Sequence, residues 1–532
     1  MKANLAGRLA DAFLDSKLTP LIMAAALGIG VWTLATMASE EEPQIVVPLA
    51  DIYLPLPGAE PQEIENRVLV PIENVVSGIE GVEYVYSHAE QGFGLVTVRY
   101  EVGRDMEESL VRLYSTLGEH MDRMPPGMQM PLVKVVTIDD VPFFTLALSG
   151  DPGSGGQAGA TQAGTTQDGA TLRAIADEVR IELEQVPEVR DVSVIGGYLR
   201  EVRVELRPEQ LAALGVDPVI VQQRLAEANV QATSGDLVRD GEVVRVTAGP
   251  FLKTIEDVEG VVLDVRDGSL VTVGDVAHVF DGSSEVDHYT FDVRADADEA
   301  LAFAPLVTLA VAKRPGADAT DLGRALEDRV EELLGTVVPA DVDARVTRNY
   351  GETARDKVVT LQEHLLMAIL AVGLVVALAM GWRSAVVVMV AVPVTFALTL
   401  FVYQIFGYTL NRVTLFALIF VTGIVIDDSI IIAENMERHF AMKDRPLRAA
   451  ARAAVDEVGN PTVLATLTVI AAVLPMLFVS GLMGPYMSPM PVGATVAMLF
   501  SLAVALIVTP WLAYRFLRHG HDESGQAEDR YV

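Results

Sequence analysis

Asp427 and Asp428 stand side by side in GIVIDDSIIIAEN, Gly423 to Asn435, between flanks apolar enough to sit in lipid. A carboxylate at the centre of a membrane helix is disfavoured by about 2.5–3.5 kcal/mol, and a pair by roughly twice that. Such residues face a bundle interior and mark ion or substrate pathways. Adjacent helix positions differ by about 100°, so both can border an interior without pointing the same way. Desolvation and mutual repulsion disfavour two ionised carboxyls, so at least one is expected to hold a proton near neutral pH, in a coupled titration. A group that titrates in the working range can carry protons. Thr422 and Ser429 on the same helix are candidate hydrogen-bond supports, against the plainer reading that they bond their own backbone.

Other chemistry is weaker or missing. HMDRMPPGMQMP gathers His120, Met121, Met124, Met128 and Met130, soft donors of the kind that hold copper or silver. A helix end with a turn at Pro125 and Pro126 and methionine as filler explains the same residues, so no metal is assigned. The chain contains no cysteine, which excludes disulfides, thiolate zinc sites and cysteine nucleophiles. No phosphate loop, zinc motif or Ser/His/Asp arrangement is present, so no cofactor is expected and the energy source is expected to be a proton gradient, not ATP.

The elements that must position the aspartates follow from hydropathy. The 532 residues are 51% hydrophobic with a net charge of −33, a combination that divides a chain into a membrane part and a charged aqueous part. Runs of membrane length fall at Leu21 to Ala38, Leu365 to Met380, Ala385 to Phe406, Val413 to Ala433, Thr462 to Val479 and Val492 to Tyr514. Pro393, Pro475 and Pro510 are tolerated there when neighbouring helices re-satisfy the freed carbonyls. Lys2, Arg8 and Lys17, then Arg383, then Arg438 to Arg452, then Arg515 and Arg518 occupy alternate connections. Both termini are therefore expected on the cytoplasmic side, with Ser39 to Lys357 outside. The first run is read as a retained anchor; the alternative is a cleaved signal peptide ending near ATMAS.

The outside segment of about 320 residues repeats a small pattern of strand, helix and strand. IVVPLADIYLPL, PQEIENRVLVPIENVVSGI and GVEYVYSHAEQGFGLVTVRYEV give the first instance. FFTLALSG, LRAIADEVRIELEQV and EVRDVSVIGGYLREVRVEL give the second, with two strands joined at Gly196 and Gly197. Such units imply α+β sandwiches. LVRDGEVVRVTAG adds a hairpin turning at Asp240 and Gly241, and 150–170 is a low-complexity loop expected to be flexible. The negative charge sits mostly in this region, which disfavours nucleic-acid binding. It is read as a solvated, self-repelling surface suited to salty or alkaline surroundings, with an acidic docking face as the alternative.

One span, a large external insert and five further spans, with GIVIDDSIIIAENMERH in the fourth, resembles the N-terminal half of a resistance-nodulation-division (RND) efflux transporter. DEVGNPTVLATLTVIAAVLPMLFVSGLMGPYM and SLAVALIVTPWLAYRFL resemble the family's fifth and sixth spans, and ELRPEQLAALGVDPVIVQQRLAEANVQATSGDL its docking subdomain. The resemblance implies a six-helix membrane bundle plus a periplasmic α+β region of repeated ferredoxin-like βαβ subdomains. The expected division is 1–38 for an amphipathic segment and first span, 39–134 for a first porter subdomain, and 135–195 for part of a second. Docking occupies 196–270, return segments 271–357, spans two to four 358–434, a cytoplasmic helix 435–461, the last spans 462–518 and a tail 519–532.

The resemblance also implies residue roles and partners. Asp427 and Asp428 would form a proton relay, which in the family works against a lysine from the other half; the six spans here hold none. Phe143 and Phe144 begin the strand that contributes an aromatic to the family's substrate pocket, while alternation sends at least one of them into the core. The function implied is a half-size subunit of a proton-driven inner-membrane exporter of hydrophobic or amphiphilic compounds. It would pair with a second half or with itself, in a trimeric assembly with a periplasmic adaptor and an outer-membrane channel. Two alternatives remain: a SecDF-type protein-translocation motor, whose fourth-span motif differs, and a non-transporting scaffold or regulatory half. A split subunit, a homomer and a fragment are equally compatible with the sequence.

Overall fold

The computed structural model describes residues 5–43, 45–137, 140–150, 169–239, 242–249, 251–266, 268–284, 289–295, 301–443 and 445–517. Most of the loop expected at 150–170, the Asp240–Gly241 turn and the 519–532 tail lie outside them.

Six helices are long and apolar enough to cross a membrane: Leu18–Thr36, Tyr350–Met380, Trp382–Ile405, Arg412–Met442, Leu447–Phe478 and Met483–Phe516. They cover nearly all of each apolar run, stopping one or two residues short of the end of the first, third and fifth, and they extend beyond most runs where flanking residues continue the helix. The fourth begins at a capping box in which the Asn411 side chain accepts from the Val413 and Thr414 backbone N–H groups, both at 3.0 Å. The Thr414 hydroxyl lies 3.0 Å from the Asn411 backbone N–H and accepts from it. The fourth helix packs most extensively on the sixth, and the third lies against the first, second, fourth and sixth. Small residues permit this closeness. A Cβ on Gly30 would fall 2.4 Å from that of Ala397, and one on Gly493 would collide with the Tyr403 hydroxyl, which donates to the Pro489 carbonyl at 2.7 Å.

Outside the bundle the first unit runs β1 (Leu49–Pro55), a helical segment from Pro61 to Val76, β2 (Val82–Glu90), β3 (Phe93–Tyr100), a helix Met106–Glu119 and β4 (Leu132–Val136). Its antiparallel sheet has the order β2-β3-β1-β4. Strand β1 alternates buried and half-exposed positions, placing Ala50, Ile52 and Leu54 on the helices. Met124 and Met128 pack against this core, whereas Met121 and Met130 are exposed.

The second unit starts with β5 (Phe144–Ser149), a helix Gly169–Glu184 and β6 (Val189–Gly196). The sequence pattern leads from β6 into β7 (Arg200–Leu206) as if into its hairpin partner, but β7 leaves this sheet. Gly196 and Gly197, with φ of 89° and 69°, turn the chain where a Cβ would strike backbone oxygens of Leu306 and Gly169. An inserted part follows, with hairpins β8 (Ala232–Arg239) with β9 (Glu242–Ala248) and β10 (Val262–Arg266) with β11 (Ser269–Thr272). It closes with β12 (Ala277–Ser283), antiparallel to β7. The chain then returns through β13 (Phe291–Ala295), β14 (Leu301–Lys313), a helix Ala319–Leu333 and β15 (Asp343–Asn349). The second sheet has the order β13-β14-β5-β15, with β6 on the far end of the long β14. Setting β13 aside, its strands follow the order of the first unit.

Two junctions tie the outside to the bundle. Strand β15 runs without a loop into Tyr350–Met380, where the Asn349 side chain accepts from the Gly351 N–H at 2.9 Å. After the first span, the Ser39 N–H donates to Asp318 at 2.6 Å, and the Glu40 N–H donates to the Leu410 carbonyl at 2.9 Å. Thus Ser39 and Glu40 join the second sheet's last helix to the loop that starts the fourth span.

Candidate functional site: the fourth-span aspartates

The fourth helix places Asp428 inward and Asp427 outward, as a 100° step requires. Asp428 is 9% exposed, between the fifth and sixth helices. The Ser501 hydroxyl of the sixth lies 3.0 Å from one carboxyl oxygen, and the Thr466 hydroxyl of the fifth lies 3.2 Å from the other. Each hydroxyl has a second acceptor. Ser501 is 2.7 Å from the Val425 carbonyl, and Thr466 is 2.9 Å from the Thr462 carbonyl.

A hydroxyl has one proton to donate and lone pairs to accept. Facing an ionised Asp428, both hydroxyls can donate to the carboxylate. Facing a protonated Asp428, they can turn to the backbone carbonyls, and one can accept the carboxyl proton. The pocket therefore offers hydrogen bonds to both protonation states.

Asp427 makes no hydrogen bond or ion pair with any described residue. It lies on an exposed stripe with Phe416, Phe420, Gly423, Ile431 and Glu434, at steps of three or four residues. Phe416 and Phe420 are 52% and 56% exposed. A mid-membrane carboxylate on a bare face is costly.

The other expected residues are placed as follows. The Thr422 hydroxyl donates to the Leu418 carbonyl at 2.8 Å, and Ser429 accepts from Thr509 at 3.3 Å; neither bonds an aspartate. Phe144 is fully buried in the second sheet's core. Phe143, one residue ahead of β5, also lines a cavity outside the bundle. Thr466 and Ser501 went unrecognised in the sequence; a hydroxyl in the middle of an apolar run is the signal that marks them. Toward the C-terminal end of the fourth helix Asn435 donates to the Ala454 carbonyl at 2.8 Å, and His439 lies 2.7 Å from Glu457, fastening the fourth helix to the fifth. Among the described residues no group of three or more His, Asp or Glu could hold a metal ion.

The family profile described as the AcrB/AcrD/AcrF family matches residues 9–531. Among curated proteins, the multidrug resistance protein MdtC of Serratia proteamaculans is 28% identical over 94% of this chain and 47% of its own length. MdtC of Yersinia enterocolitica is 28% identical over 90% of the chain and 44% of its own. The chain thus spans about half the length of the curated relatives it matches.

Proposed function

Since this chain belongs to the AcrB/AcrD/AcrF family of RND multidrug transporters, we propose that it supplies the N-terminal-type half of a proton-driven exporter of hydrophobic or amphiphilic compounds. The observation that carries the reading is Asp428, buried among three membrane helices between two hydroxyls that suit both its charge states. Protons reach Asp428 from outside, neutralise it, and leave toward the cytoplasm. The change in charge alters how tightly the fourth, fifth and sixth helices hold together. The Ser39–Glu40 junction and the β15 helix carry that change to the outer units. No cofactor takes part; the proton gradient is the energy source.

The matching strand orders of the two outer units support the ferredoxin-like porter reading, with the β7–β12 insert as the docking unit. Both termini are cytoplasmic in this reading, and the outer units are periplasmic. A second six-span unit covers the Asp427 stripe and brings a cation of the kind that the six apolar runs lack. The assembly is trimeric and works with a periplasmic adaptor and an outer-membrane channel. The match over residues 9–531 favours this over a protein-translocation motor.

The test is Asp428→Asn in the assembled transporter, with export of a fluorescent amphiphile followed in cells at matched expression. Export should be abolished. Export that remains proton-dependent would sink the proposal and leave the scaffold reading standing.

A further inference from the structure

A cavity of about 870 Å³ lies where the fifth helix begins, against the end of the fourth helix and Asp11 of the N-terminal helix Leu5–Phe13. The fifth helix starts at Leu447 behind Pro446, which offers no side-chain cap, and its first turn holds no acidic residue. The Ala450 N–H is the first to find an acceptor, the Pro446 carbonyl at 2.9 Å. The Leu447, Arg448 and Ala449 N–H groups keep the free donors and the partial positive charge of a helix start. Arg445, Arg448 and Arg452 stand on the same wall and add to that charge, which favours an anion.

His439 of the fourth helix lines this cavity with its side chain 10% exposed. Its Nε2 is held 2.7 Å from Glu457, while its buried Nδ1 has no hydrogen-bond partner among the described residues. A buried ring nitrogen left unpaired is costly, and a protonated imidazole offers it as a donor to an oxyanion. The carboxylates on the wall are already engaged. Asp11 accepts from Arg448 at 2.9 Å and Glu457 from Arg438 at 2.7 Å. Asp456 packs on Gly7 of the N-terminal helix, where a Cβ would fall 2.3 Å from its Oδ1.

Depth identifies the source of the anion. His439 lies about 9 Å beyond Ala433, where the fourth apolar run ends, so the cavity opens at the level of lipid headgroups. Basic pockets beside the ends of membrane helices hold anionic headgroups. We propose that this cavity binds the phosphate of an anionic phospholipid headgroup, seated between the first turn of the fifth helix, Arg452 and His439. Such a lipid would bind the N-terminal, fourth and fifth helices together at one membrane surface.

The test is a titration of the full chain in detergent, read by native mass spectrometry, with dioctanoyl phosphatidylglycerol and with dioctanoylglycerol, which lacks only the phosphoglycerol head. The phospholipid should be retained saturably, with one molecule held tightest, and the diacylglycerol should not. Arg452→Gln should weaken that molecule by about tenfold, the size of one charge-assisted contact. Ala449→Glu places a carboxylate on the helix start, which favours the helix, and should expel the lipid without unfolding the chain. Equal retention of both lipids, or phospholipid retention unchanged in both variants, overturns the proposal. Displacement by inorganic phosphate at equal concentration assigns the site to a free anion and overturns the lipid source. Lipid retention needs no proton gradient, so this site and the Asp428 efflux reading can fall separately.

Discussion

At the scale of single residues, the Asp pair was legible because carboxylates in an apolar run are conspicuous. Its partners were not, because they come from Thr466 and Ser501, on other helices. Thr422 and Ser429 looked suitable through nearness in sequence, yet a helical hydroxyl four residues past a carbonyl tends to bond that carbonyl, as Thr422 does with Leu418. The geometry makes Ser501 and Thr466 tuning groups. Ser501→Ala removes a donor that favours the ionised carboxyl, and should slow substrate-driven proton flux in proteoliposomes by about tenfold. Ser501→Thr should restore much of the rate. An unchanged flux in Ser501→Ala would show that the hydroxyl does not serve the carboxyl.

At the scale of elements, the membrane helices and the first unit were readable from apolar runs and period-two alternation. The second sheet was not, because β5 pairs with β14 and β15, both far along the chain. Strand β15, DARVTRN, is an edge strand whose polar residues give little alternation to read. Asp292 on β13 helps hold this sheet, accepting from Arg294 at 2.7 Å, Arg345 at 3.0 Å and Ser149 at 3.1 Å. Burial is the largest single influence on its carboxyl and acts upward, but the Arg294 and Ser149 hydrogen bonds and both guanidinium charges together hold it below the ordinary range. A depressed carboxyl contributes stability above its unfolded pKa, about 3.9, and loses it as pH falls through the lower folded value. Asp292→Asn should therefore cost about 1–3 kcal/mol at neutral pH and flatten stability below pH ~4, both read from unfolding of the detergent-solubilised chain. In the bundle, Gly493→Ala should destabilise by about 1–3 kcal/mol through overpacking on Tyr403, more than Ala substitution at Gly28, which has open space around it.

At the scale of the molecule, the absence of cysteine makes single-cysteine variants clean reporters of what covers each face. Phe420→Cys, on the Asp427 stripe, should cross-link to a second six-span unit in native membranes. Leu378→Cys, 80% exposed near the end of the second helix, should remain unlinked. Native mass spectrometry of the cross-linked species then distinguishes a second copy from a different chain. If Phe420→Cys stays unlinked while the protein transports, Asp427 works against lipid or water and the paired-unit reading fails. The unbroken passage from β15 into Tyr350–Met380 has a mechanical side too. The helix has 31 residues, so it is a rod about 46 Å long. If it pivots at its C-terminal end, each degree of tilt sweeps its N-terminal end, where β15 joins, through about 0.8 Å. A few degrees of lean in the membrane would shift the edge of the second sheet by the width of a side chain, with no hinge to absorb the stroke.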